Sequence, residues 1–151
     1  MATGEQMAAE WMAHRKVAET LLERIPDGKA DLRLWPEAMT TAQLGNHIAV
    51  AHHMFASLAA GVAFERPDTA SLPQDLPGVR ALLRRYSEED AALLRGLGAA
   101  ALERSVTTRN GEQPAEKVLV NAREHEIHHT GQLFEYARVA GVAEVPPWVI
   151  R

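Results

Sequence analysis

The chain contains no cysteine. Disulfides, thiolate nucleophiles and cysteine-ligated zinc are therefore excluded, and any bound metal must be held through nitrogen and oxygen. A surplus of basic charge is missing as well. Sixteen Lys and Arg face twenty Asp and Glu, a net charge of −4, so the electrostatic footprint of a nucleic-acid-binding protein is absent. No apolar run approaches the roughly 20 residues that a bilayer-spanning helix needs. The opening Met1-Ala2-Thr3-Gly4-Glu5 has neither the basic stretch nor the apolar core of a signal peptide. The expectation is a cytoplasmic protein without a membrane or nucleic-acid partner.

The alternation of β-branched residues that marks strands is nearly absent too, while alanine and leucine dominate. At 151 residues, with 46% apolar and 24% charged residues, the sequence suits one domain spanning 1–151 with a real core. Helical spacing of Met7, Trp11, Val17, Ala18, Leu21, Leu22 and Ile25 predicts a first helix over Gly4–Ile25, closed by Pro26-Asp27-Gly28. Thr40 and Gln43 have capping-box spacing and open a second helix that fades near Gly61. A third is predicted over Pro77–Leu97. Asn110-Gly111 is a turn dipeptide, so 106–113 is either a small hairpin or a loop. A fourth helix starts near Pro114, read as its first residue, and ends at Ala140-Gly141. The fold class that follows is all-α: an antiparallel four-helix bundle with long crossover connections, whose interior suits a metal or cofactor.

Seven histidines stand out against this background. A buried imidazole needs partners for a donor and an acceptor, and neutral imidazole is the commonest metal ligand. With about 100° per residue, His47 shares a face with Ala51, Met54 and Leu58. His52 and His53 fall well to either side and read as boundary or surface residues. On the fourth helix Val118, Ala122, His125, His129, Leu133, Tyr136 and Ala140 share one face, which makes His125 and His129 an i, i+4 pair one turn apart. His128 lies at its edge, and His14 reads as a boundary residue of the first helix. A lone histidine on an apolar face is most often an ordinary core residue. An inward i, i+4 pair is much harder to satisfy without an ion, and His47 completes a candidate three-histidine metal site. Gln132, Asn121 and Tyr136 lie near the ligand face as candidates for supporting the ligands.

His125-Glu126-Ile127-His128-His129 also satisfies H-E-x-x-H, the zinc-peptidase signature in which the glutamate is the base. The extended form fails: Gly131 comes one residue early and no later histidine exists. A peptidase is not the reading.

His125-Glu-Ile-His-His129-Thr-Gly-Gln132-Leu, Tyr136-Ala-Arg138-Val-Ala-Gly141 and the following Pro146-Pro147 resemble the C-terminal signature of the DinB-like (YfiT-like) metalloenzyme family. Met39-Thr-Thr-Ala-Gln-Leu44-Gly-Asn-His47-Ile resembles that family's second-helix motif. The likeness covers nearly the whole chain. It implies a four-helix bundle with a long crossover, a divalent metal such as zinc, nickel, copper or iron on His47, His125 and His129, and frequently a homodimer, for which Trp11 on an apolar first helix is a further pointer. Members with assigned activity transfer low-molecular-weight thiols to small electrophiles or isomerise with their help. The resemblance therefore implies a small-molecule substrate, with a thiol as possible cosubstrate. A metal-dependent hydrolase and a non-catalytic, stress-related binding bundle are the alternatives. Many relatives carry arginine where this chain has Thr130; that position faces away from the predicted inward stripe, so a changed surface or dimer contact is expected there.

Overall fold

The computed structural model describes residues 2–151. Four long helices, α1 (Gly4–Arg24), α2 (Thr41–Ala60), α3 (Leu76–Arg95) and α5 (Ala115–Val139), carry the fold. Between α3 and α5 lie a short helix α4 (Ala99–Glu103) and a hairpin of β1 (Ser105–Thr108) and β2 (Gly111–Pro114). The hairpin pairs antiparallel from Ser105↔Pro114 to Thr108↔Gly111, so Asn110-Gly111 turns it as its composition suggests.

Local chemistry explains the boundaries. Thr3 with Gln6, and Thr40 with Gln43, form complete capping boxes at α1 and α2. The Asp75 side chain accepts from Gly78 N, so α3 starts at Leu76, one residue before the expected proline. Pro114 is the cap of α5 and the last hairpin residue, rather than the first helical residue. Helix α5 is capped by Ala140 and followed by Gly141, whose φ of +90° lies where glycine is strongly favoured. Helix α4 is too short for its five residues to show a period.

Helix α1 packs against α3 and α5, and α2 packs against the same two, so α1 and α2 lie on one diagonal of the bundle. Chain directions follow from the contacts. Arg15 meets Ser87 while Leu22 meets Arg80, so α1 and α3 run antiparallel. His47 meets His129 while Met39 meets Tyr136, so α2 and α5 do too. The remaining neighbours run parallel: Glu10 meets Arg123 and Arg24 reaches Glu144, whereas Gly45 faces Val79 and His52 meets Asp90. A parallel α2–α3 pair requires its connection, 61–75, to return along the length of the bundle. Gly45 permits that pair to close tightly, since a Cβ there would lie 2.5 Å from Val79 Cγ1.

The core is two apolar clusters. One gathers Leu21, Leu22, Ile48, Val79, Leu83, Leu133 and Tyr136; the other gathers Trp11, Leu94, Leu102, Val118 and Leu119. A buried polar layer lies between them. Arg15, fully buried, donates to both oxygens of Glu126 at 2.6 and 2.9 Å, and Trp11 Nε1 donates to the same carboxylate at 2.8 Å. Trp11 stacks on His52 with ring centroids 4.0 Å apart, and His52 donates to Asp90 at 2.8 Å. Burial works against an ionised Glu126, but the Arg15 charge and hydrogen bonds outweigh it and hold the carboxyl below its ordinary pKa.

This layer generates a stability prediction. Arg15→Met leaves a buried carboxylate unpaired and should cost about 3–5 kcal/mol in urea unfolding. Arg15→Met with Glu126→Met removes both charges and should recover most of that loss. Equal losses in the single and double variants would show that charge pairing is not what the layer supplies.

Candidate metal centre

Helix α5 carries buried side chains at Leu119, Ala122, Glu126, Thr130, Leu133 and Ala137, and this seam faces the bundle axis. His125 and His129 flank the seam on the side of α2, half-buried rather than in the core. His47 leaves α2 toward them. The result is a triangle of ring nitrogens: His47 Nε2 lies 3.3 Å from His125 Nε2 and 3.0 Å from His129 Nε2, and the latter two are 3.1 Å apart.

The triangle cannot be closed by hydrogen bonds alone. Each Nε2 presents either a hydrogen or a lone pair. Among three atoms at least two must present the same, so at least one contact sets like against like whatever the tautomers. For His129 the tautomer is fixed: its Nδ1–H donates to Gln132 Oε1 at 2.7 Å, which leaves the lone pair on Nε2. A cation receiving all three lone pairs removes the conflict. The dimensions agree, because nitrogens about 2.0–2.1 Å from one zinc ion stand about 2.9 Å apart at right angles and about 3.3 Å apart at tetrahedral angles. The residues present therefore fit a divalent ion.

Electrostatics keep the rings in the ligating form. Burial, followed by the neighbouring His129, His47 and His128, pushes His125 down to about 4. Burial, then His129 and Arg66, lowers His47. Burial lowers His129 as well, against the Gln132 hydrogen bond. Neutral imidazole is the form that binds a metal.

The other candidates divide. Gln132 hydrogen-bonds the His129 ring. Asn121 Nδ2 donates to Gln113 Oε1 at 3.1 Å and Gln113 donates to Thr108, which ties α5 to the hairpin beside His125. Tyr136 hydrogen-bonds none of the three rings; its hydroxyl donates to Met39 O and braces the start of α2. His128 is exposed, edge-on to His129, and His14 tilts against Trp148.

Three expectations need correction. His52 is not a boundary residue: it is 1% exposed, and with His53 it donates to the two oxygens of buried Asp90. Burial raises the Asp90 carboxyl, and the two imidazole hydrogen bonds overcome this and bring it below its ordinary value. Thr130 is not a surface position; it is buried in the α5 seam, and its hydroxyl has no partner. Trp11 is 2% exposed and committed to Glu126 and His52, so it offers nothing to a second subunit.

Fold and site together define a helical bundle with a three-histidine centre at its rim, and the DinB family profile matches residues 1–149. The chain belongs to the DinB family. It is similar to the uncharacterized protein YjoA of Bacillus subtilis, with 29% identity over 150 residues, 97% of this chain and 96% of that one. The crystal structure of YjoA, a DinB-like protein, superposes with a TM-score of 0.82 at 27% identity, covering 97% of this chain and 99% of its own. A DinB-like protein from Bacillus cereus shares the fold with a TM-score of 0.81 at 19% identity, covering 94% and 95%. No described helix is long and apolar enough to cross a membrane.

Two measurements test the centre. Gln132→Leu frees the His129 ring and should weaken zinc affinity roughly 10- to 100-fold in competition with a chromophoric chelator; unchanged affinity would contradict the role. The second concerns pH. Folded His125 titrates at about 4 against 6.5 for an unperturbed histidine. Between those values the unfolded chain takes up a proton that the folded chain refuses, so the metal-free protein should lose stability as pH falls through that window. His125→Leu should flatten the fall in melting temperature. A variant as steep as the parent would contradict the assignment.

Proposed function

We propose that the chain is a divalent-metal-dependent enzyme that transfers a low-molecular-weight thiol to a small electrophile. The observation that supports this most is the triangle of Nε2 atoms, 3.0–3.3 Å apart, at the half-buried rim of the bundle. His47, His125 and His129 would hold the ion, and three protein ligands leave coordination positions open, as in catalytic rather than structural sites. An ion held there supplies acidity, lowering the pKa of a thiol or water that reaches it.

The chain's own residues supply the rest. Gln132 keeps His129 in the tautomer whose Nε2 lone pair faces the centre. Depressed histidine pKa values keep the donor set neutral at physiological pH. The Asn121–Gln113–Thr108 chain fixes the hairpin beside His125 as one wall of the adjoining cavity. Because the sequence has no cysteine, any thiol consumed is a cosubstrate and the protein contributes no background.

Zinc- or nickel-loaded protein should accelerate conjugation of small thiols to monochlorobimane, and chelator treatment or His125→Ala should return the rate to background. Full activity after chelation would overturn the reading. A panel of small esters and amides run in parallel separates transfer from hydrolysis: metal-dependent turnover of an ester without thiol would favour a hydrolase on the same ligands.

A further inference from the structure

The open side of the histidine triangle is bordered by two cavities that share His47, Ala51 and Arg66. One, of about 350 Å³, lies between α2 and the returning 61–75 connection; the other, of about 600 Å³, lies between α2, α5 and the hairpin turn. Both are in the size range of small-molecule pockets. The larger has an apolar floor of Met54, Phe55, Leu58 and Val118.

The charges around them are one-sided. Arg66 lines both cavities and Arg109, on the hairpin turn, lines the larger. No aspartate or glutamate among the described residues lines either, although acids outnumber bases in the chain by twenty to sixteen. The hairpin's own acid, Glu112, accepts from the Ser105 and Thr107 hydroxyls. Neither Arg66 nor Arg109 belongs to an ion pair among the described residues; Arg80, Arg84, Arg85, Arg95, Arg123 and Arg138 do, and Arg24, Arg33 and Arg104 donate to backbone carbonyls instead. Arg66 donates only to the Met54 thioether, at 3.6 Å, and a thioether is a weak acceptor. In the smaller cavity the Asn46 amide is oriented by its Nδ2 donating to Pro73 O at 2.7 Å, and its Oδ1 has no partner.

Resting on the reading of the triangle as the reaction centre, we infer that the substrate is a small carboxylate with an apolar body. Its carboxylate is received by Arg66 and Arg109, and its apolar part covers Met54, Phe55, Leu58 and Val118. Its reacting end then meets His47 and His125. A guanidinium presents paired N–H donors matched to a carboxylate, which gives orientation as well as attraction. A neutral analogue of the same shape forgoes both.

The test compares phenylbutyrate with phenylbutanamide by calorimetry on the chelator-treated protein, so that it reads the arginines whether or not the metal chemistry holds. Phenylbutyrate should bind roughly tenfold more tightly than the amide. Arg66→Ala should abolish that preference, Arg66→Lys should keep part of it, and Arg109→Ala should reduce it. Arg84→Ala, outside both cavities, should retain it. Equal binding of the two probes, or a preference untouched by Arg66→Ala, would overturn the proposal. So would a preference that appears only after zinc is restored, which would make the ion the anion receptor. Retained selectivity in a protein without conjugating activity would leave this inference standing while the transferase reading falls.

Discussion

A carboxylate sealed inside a helical bundle has to be matched where it lies, because water no longer shares the work of solvating it. Glu126 is 1% exposed and receives Arg15 on both oxygens and Trp11 on one. Rolling α5 about its axis would break three charge-assisted bonds at a cost of several kcal/mol, far beyond what rim contacts could return. The roll of α5 is thereby set. His125 and His129 lie one residue before and three after Glu126, so the same constraint turns both rings toward α2 and delivers them to His47. The polar layer continues from Trp11 to His52 on α2 and from there to Asp90 on α3. One chain of contacts thus registers all four long helices at the height of the centre.

Chain topology supplies the rest of the surroundings. Because α2 and α3 run parallel, their connection must travel back along the bundle, and that return path lays Arg66 beside His47. Helices α3 and α5 occupy the other diagonal, and the segment joining them carries α4 and the hairpin. Asn121 anchors the hairpin through Gln113. Both walls of the pocket are therefore consequences of how a four-helix chain crosses its own diagonals, built from segments without helical periodicity of their own.

The four long helices are legible because the Thr40–Gln43 capping box, prolines and Gly141 mark several of their ends and apolar spacing marks their length. Part of the histidine cluster is legible because an i, i+4 histidine pair is a local pattern. The direction of the core was read less well. Helical phase measured from His47 points to the rim, where that residue sits; the buried seam of α2 runs through Ala42, Gly45, Ala49, His52, Ala56 and Ala59. These residues are so small that they form no conspicuous apolar stripe, and His52 in their midst looked peripheral. The same offset hid Glu126 and Thr130 on α5. Had the small-residue seam been taken as the inward face, a glutamate and a histidine in register on it would have signalled buried partners. Arg15, Asp90 and Arg66 could not be paired from spacing, since each finds its partner or cavity on a different element, across the bundle.

The central claim is that this architecture delivers three neutral imidazoles to one divalent ion. Cobalt(II) titration of the chelator-treated protein, followed by its visible absorption, tests it most directly. The account predicts bands that rise linearly and break at about one equivalent, with no break in His47→Ala, because two histidines on one helix do not complete the ligand set. A parent protein without a break, or a His47→Ala variant that titrates like the parent, would contradict it.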